Sequence, residues 1–136
     1  MDETVAFLGN PENPNMEIRK GLVYGQVQQG KTMHYTGVMN KAADVGYKVI
    51  ILLTTNVELL RRQTQERVEK DFIGFSTKPG VQERFGVGTT MAAGGDEKYR
   101  QPFSLTTQLT DFNKKTADNL IMGSPTAGQE PITLVM

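Results

Sequence analysis

Leu22-Val23-Tyr24-Gly25-Gln26-Val27-Gln28-Gln29-Gly30-Lys31-Thr32 decides the reading of this chain. A short apolar run ends on glycine, and Gly25 to Thr32 fits Gly-x-x-x-x-Gly-Lys-Ser/Thr directly before a helical pattern. Each fixed position has a physical task. Gly25 lets the chain turn out of the strand, and Gly30 lets backbone approach an anion closely. The loop amides and the first helical turn offer free N–H groups and a positive dipole end. Lys31 would place a mobile charge between the β- and γ-phosphates, and the Thr32 hydroxyl would ligate the Mg²⁺ that bridges them. The four fixed positions arise by chance in about one chain in a few hundred. The competing account is an ordinary glycine turn before a helix that happens to begin Lys-Thr.

Outward from the loop, Tyr35, Val38, Ala42 and Val45 recur at three- and four-residue spacing beside Met39, predicting a helix over 31–45 with Gly46 as its terminating glycine. Val49-Ile50-Ile51-Leu52-Leu53 is an uninterrupted apolar run of the kind that forms a strand covered on both faces of a parallel sheet. Asn56 then reads as the N-cap of a helix to Asp71. Its inner face would be Val57, Leu60, Thr64, Val68 and Phe72, with Glu58–Arg62 and Glu66–Lys70 pairs on its flanks. Strand, helix, strand, helix with short joints implies parallel pairing and right-handed crossover.

Before this βαβα nucleotide-binding unit (21–74) lies a lead-in (1–20) with a helical turn at 2–9 and the loop Asn10-Pro11-Glu12-Asn13-Pro14-Asn15. After it, 75–136 holds a Gly- and Thr-rich excursion with Gly86, Gly88, Gly94 and Gly95, and room for one short strand. A helix over Asp111–Met122 follows, with Phe112 and Leu120-Ile121-Met122 as apolar anchors, closed by Gly123-Ser124-Pro125. Ile132-Thr133-Leu134-Val135-Met136 reads as a buried strand. The fold expected is an α/β parallel-sheet P-loop NTPase core, incomplete. The chain ends on an apolar strand, where open α/β sheets gather their chemistry, so it reads as the front part of a larger ATPase core.

Composition narrows the alternatives. The 136 residues carry 15 Lys+Arg against 15 Asp+Glu, so no overall electrostatic hold on nucleic acid is expected. There is no cysteine and a single histidine, which excludes disulfides, thiol catalysis and a multi-His zinc site. No apolar run approaches the ~20 residues of a membrane span, and the acidic N-terminus lacks the layout of a signal peptide. A cytoplasmic protein without membrane attachment is expected.

The stretch Arg19–Thr32, with Lys41-Ala42-Ala43-Asp44-Val45-Gly46-Tyr47-Lys48-Val49-Ile50 and Leu60-Arg61-Arg62-Gln63-Thr64-Gln65-Glu66-Arg67, resembles the bacterial Z-one-domain endonuclease family. Leu105-Thr106-Thr107 and Asp111-Phe112 extend the likeness more faintly. That family is similar to superfamily-two helicase ATPases and is linked to phage defence and DNA processing. The resemblance implies ATP and Mg²⁺ as ligands, hydrolase activity in the full-length family, and binding through Gly25, Gln26, Val27, Gln28, Gln29, Gly30, Lys31 and Thr32. It also implies that Thr54 and Thr55, with Arg61 on the following helix, stand where a helicase motif meets DNA backbone. Gln29 replaces the family's usual serine, and the acidic metal-binding motif of the family is absent.

Single residues have plainer accounts as well. Arg61 and Arg62 read as a solvated helix face, with Arg62 paired to Glu58. Gln63 reads as a local hydrogen-bonding residue, and His34, without an acidic or Cys partner, as structural. Asp111 and Asp118 suit capping and dipole roles, Lys114-Lys115 a solvated face, and the methionines core filler. Val49–Leu53 is followed by Thr54-Thr55-Asn56 rather than Asp or Glu, so no Walker B carboxylate is in view. No base-and-arginine lid of a small-molecule kinase is present, and no nuclease cluster stands out. Two functions therefore remain: an ATP-binding domain of a helicase-like DNA-processing ATPase or endonuclease, and a non-catalytic nucleotide-binding or interaction module.

Overall fold

The computed structural model describes residues 1–15, 17–26, 30–86, 88–89, 101–123 and 131–136. The chain divides into two units, Met1–Tyr47 and Lys48–Met136. The boundary falls between the loop-bearing helix and the first strand.

In the first unit, α1 (Asp2–Leu8) lies against α2 (Lys31–Asp44). The Asp2 carboxylate pairs with Lys41, and the Tyr47 hydroxyl donates to the Leu8 carbonyl at 3.0 Å. Asn10 and Asn13 shape the intervening loop by accepting from the amides of Glu12 and Asn15. α2 ends as expected at Gly46, whose φ of 103° suits only glycine. The Gly46 amide bonds the Ala43 carbonyl and the Tyr47 amide the Ala42 carbonyl, the paired pattern of a Schellman cap. Val45 has already left the helix and is exposed, so the buried face is Thr36, Met39 and Ala42.

The expected strand Leu22–Tyr24 is not formed. Leu22 is 91% and Tyr24 89% exposed. A strand needs a neighbour to take its backbone hydrogen bonds, and the described residues of this unit supply none.

The second unit is a mixed α/β fold on a small parallel sheet in the order β1-β3-β2, with β1 at Val49–Leu52, β2 at Phe103–Ser104 and β3 at Ile132–Val135. Register pairs Val49 with Ile132, Leu52 with Val135, and Ser104 with Thr133. Side chains alternate between faces, so Val49, Ile51, Ile132, Leu134 and Phe103 share one face and Ile50, Leu52, Thr133, Val135 and Ser104 the other. α4 (Lys114–Gly123) covers the first face through Ala117, in a cluster with Leu105, Leu134, Phe103 and Ile132. That cluster does not extend to β1, and Val49 and Ile51 are exposed, so the strand predicted as covered on both faces is a half-covered edge. Asn113, not Asp111, caps α4 by accepting from the amides of Lys115 and Thr116, and Phe112 is exposed rather than an anchor. Expectations for Gly94, Gly95, Ser124 and Pro125, and for the side chains of Leu120, Ile121 and Met122, fall outside the described residues.

α3 (Glu58–Val68) covers the second face and passes into a π-helical turn, Glu69–Ile73, closed by Gly74 at φ 94°. Val57 stands at the cap position instead of Asn56, its amide held by the Thr55 hydroxyl at 3.3 Å. The buried face of this helix matches the predicted one at Val68 and Phe72 but not at Val57 or Leu60. Leu60 and Val57 are exposed, while Arg61, Gln65, Val68, Glu69, Phe72 and Ile73 are buried. Three of those six are polar, spaced four apart.

The reason lies in β2, which is only two residues long. Beyond Leu105, whose amide still bonds the Thr133 carbonyl at 2.9 Å, the segment to Gln108 has lost its strand ladder, and helix side chains bond the carbonyls of Thr106 and Thr107. Gln65 donates to the Thr106 carbonyl at 3.1 Å and accepts from the Thr106 hydroxyl at 2.8 Å. Glu69 accepts from Gln108 Nε2 at 2.6 Å, from the Thr77 amide at 3.0 Å, from the Thr77 hydroxyl, and from Gln65 Nε2 at 3.0 Å. Each bond adds about 1 kcal/mol net, whereas leaving one buried partner unpaired costs about 1–3 kcal/mol. The stripe therefore specifies one arrangement more than it adds stability.

Candidate phosphate loop and the carboxyl edge of the sheet

Gly30 occupies the N-cap of α2 at φ 76° and ψ 19°, a left-handed conformation that favours glycine. Lys31 follows as the first helical residue, and its Nζ turns back to donate to the Gly25 carbonyl at 2.7 Å. Its stem runs along Gly25, where an added Cβ would stand 3.4 Å from Lys31 Cγ. No acidic residue lies in the first turn of α2 to offset its positive end. Among the described residues nothing bonds the Thr32 hydroxyl, while the Thr32 carbonyl accepts from Thr36 at 2.9 Å. Gln26 is exposed, and Val27, Gln28 and Gln29 lie outside the described residues. The two ends of the motif are thus brought together across the loop by the lysine. His34 on the same helix has a buried Nε2 without a partner.

A second grouping forms at the carboxyl ends of the strands. β1 and β2 leave the sheet towards helices on opposite faces, α3 and α4, the arrangement that opens a crevice above the strand between them. Thr54 lies at the exit of β1, its amide and hydroxyl both held by the Met136 carbonyl at 2.8 Å. Thr55 is spent on the start of α3. At the exit of β2, the Thr107 and Thr110 hydroxyls share a hydrogen bond of 2.7 Å, and Asp111 accepts from the Phe112 amide.

Arg61 lies beneath this edge and is 1% exposed, which corrects the solvated-face reading. Its guanidinium forms a two-point pair with Glu58, Nε and Nη2 each at 2.8 Å. It also donates to the carbonyls of Thr107 at 3.0 Å and Val135 at 3.3 Å. Glu58 therefore pairs with Arg61 and not Arg62. Among the described residues Glu66 and Lys70 form no ion pair. The Arg61 hydrogen bonds hold the Glu58 carboxyl below its ordinary pKa, and Glu58 in turn raises that of Arg61 against the effect of burial. Buried and bonded inside the protein through Nε, Nη1 and Nη2, Arg61 is not presented to a DNA phosphate.

Sequence reasoning missed Gln65, Glu69, Thr106 and Gln108 as a connected set. Their signal was present: 61, 65 and 69 repeat at one helical face, but as polar residues in a search for apolar ones. Among the described residues, no three His, Cys, Asp or Glu stand together as a metal site, and no helix is long and apolar enough to cross a membrane. Of the described methionines with placed side chains, only Met39 is core.

No family model, curated protein or solved structure matches the chain.

Proposed function

We propose that Gly25–Thr32 is a phosphate loop for ATP with Mg²⁺, in the nucleotide-binding part of a helicase-like DNA-processing ATPase of the Z-one-domain kind, active in anti-phage defence. The observation that carries this reading is the Lys31 ammonium, folded back on Gly25 across a loop whose other end is a left-handed Gly30 at a helix start. A neutral carbonyl is a weak partner for a cation, and a triphosphate is a strong one. Exchange of the first for the second costs one modest hydrogen bond and gains a charge-assisted one. The Thr32 hydroxyl is unclaimed among the described residues, and one protein hydroxyl fits an ion that keeps most of its shell as water and phosphate oxygens. The Thr54 hydroxyl is given to the Met136 carbonyl and the Thr55 hydroxyl to the start of α3, so both leave the set proposed for DNA backbone together with Arg61.

A titration of the chain with mant-ATP and Mg²⁺, repeated on Lys31→Ala, tests the proposal. Lys31→Ala is expected to bind at least tenfold more weakly. Equal affinity in the two proteins, or none in either, refutes it.

One observation favours a non-catalytic nucleotide-binding module over a turning-over ATPase. The described carboxylates of the carboxyl edge are engaged, Glu58 by Arg61 and Asp111 by the Phe112 amide. Phosphate release that depends on Lys31 would exclude the inert module.

A further inference from the structure

The first unit holds a set of contacts that phosphate binding does not call for. Arg19 donates from Nη1 to the Phe7 carbonyl at 2.7 Å, with its guanidinium 5.6 Å from the Phe7 ring centroid. It also lies along Gly9, where an added Cβ would be 3.7 Å from Arg19 Cζ. The helix that offers this seat is itself fastened to α2, through Asp2–Lys41 at its start and Tyr47–Leu8 at its end. Arg19 therefore moors the chain just before it enters the loop. Around the mooring, Ile18, Leu22 and Tyr24 are about nine-tenths exposed. Apolar surface left in water favours any rearrangement that covers it. The strap has the sequence of a strand and the conformation of none.

We propose that α1 and Arg19 form an autoinhibitory clasp on the phosphate loop. The clasp fixes the strap of residues 18–24 on α1 and keeps the loop in the form in which Lys31 rests on the Gly25 carbonyl. This inference rests on the phosphate-loop reading. A ligand that prefers the released form binds with an affinity reduced by the fraction of molecules released. Loosening the clasp therefore tightens binding, although Arg19 lies outside the motif. The guanidinium acts on a carbonyl and a ring at once, so Lys, which cannot lie flat on the ring, restores the clasp only in part.

The experiment compares the full chain with Arg19→Ala and Arg19→Lys in two measurements. The first is the rate of tryptic cleavage after Lys20 without nucleotide, and the second a mant-ATP titration with Mg²⁺. Arg19→Ala is expected to be cut faster after Lys20 and to bind about three- to tenfold more tightly, with Arg19→Lys between it and the parent. An unchanged cleavage rate shows that Arg19 does not restrain the strap and overturns the clasp. Faster cleavage with unchanged or weaker binding overturns its inhibitory role and leaves the phosphate loop standing. Absence of binding in every variant refutes the phosphate-loop reading itself, and the inhibitory role with it, while the cleavage rates still report on the restraint.

Discussion

The two units of this chain treat polar side chains in opposite ways. In Met1–Tyr47 the contacts of charged side chains lie at the surface: Lys31 on Gly25, Arg19 on Phe7, Asp2 on Lys41. In Lys48–Met136 they are interior, with Arg61, Gln65, Glu69 and Thr106 each no more than 1% exposed. A buried charge persists only where partners satisfy it, and satisfying it uses up its capacity for anything else. All four lone-pair positions of the Glu69 carboxylate are taken by protein donors. The cavity of about 240 Å³ beside it, with Lys70, Lys78 and Glu83 on its walls, thus has a saturated floor. An ammonium held by one carbonyl at the surface is easily recruited. The residues that look richest in chemistry are structural here, and the sparse loop is the better site.

Substitution on the two sides separates them most sharply. Glu69→Leu keeps the volume but removes the acceptor of the Thr77 amide and hydroxyl and of Gln108 Nε2, and is expected to cost about 3–5 kcal/mol in urea unfolding. Lys31→Ala removes one exposed hydrogen bond, so its stability is expected to stay within about 0.5 kcal/mol of the parent. A Glu69→Leu protein as stable as the parent would erase the distinction.

A second pair concerns glycine. A Cβ on Gly88 would overlap the Gly74 carbonyl, a backbone atom that Phe85 already fixes by donating its amide to it at 2.8 Å. Gly88→Ala is expected to cost about 2–3 kcal/mol. A Cβ on Gly37 overlaps only the Met1 side chain, which can swing away. There the gain of about 1 kcal/mol in helix propensity offsets the displaced contact, and Gly37→Ala is expected to be near neutral. Thermal unfolding of both variants measures the contrast, and equal losses would place rigid packing in both units.

The sequence made the elements legible wherever period and punctuation agreed. α2 with its Gly46 cap, β1 and β3 as strands, and helical structure from Glu58 to about Asp71 all follow from local pattern. Strand pairing did not follow, because Leu22–Tyr24 carries the residues of a strand but pairing depends on a neighbour that local pattern does not supply. The face of α3 was misassigned for a different reason. An apolar-stripe search selects Leu60 and Val57, yet the truncated β2 leaves backbone groups at 106–108 that only polar side chains can satisfy. Arg61 was misplaced on the surface by the same logic. Of the candidate site, the motif and its helix were legible; the return of Lys31 to Gly25 and the engagement of Arg61 were not, since both are tertiary contacts.

Thr133 marks a smaller flaw in the interior unit. Its hydroxyl is buried in the middle strand, beside Ser104 in register, with no hydrogen-bond partner among the described residues. Thr133→Val exchanges that hydroxyl for a methyl of like shape and is expected to stabilise the protein by about 1 kcal/mol. A destabilised variant in urea titration would mean that the hydroxyl is satisfied by water in solution.

The smallest effect is a dependence on pH at the Glu58–Arg61 pair, which links surface to interior. Glu58 is about half exposed, and its hydrogen bonds from Arg61 lower its folded pKa below the ordinary 4.5. A carboxyl with a depressed folded pKa binds fewer protons folded than unfolded. Its contribution is therefore fully present above the unfolded pKa and is lost as pH falls through the folded value. Glu58→Gln should be less stable than the parent at neutral pH, and the difference should close as acid protonates Glu58 in the parent. A gap that stays constant with pH would mean that Glu58 acts through packing and not through charge. Because Arg61 also holds the carbonyls of Thr107 and Val135, closing the gap without wider unfolding would locate the Glu58 charge as an adjustable part of an otherwise fixed carboxyl edge.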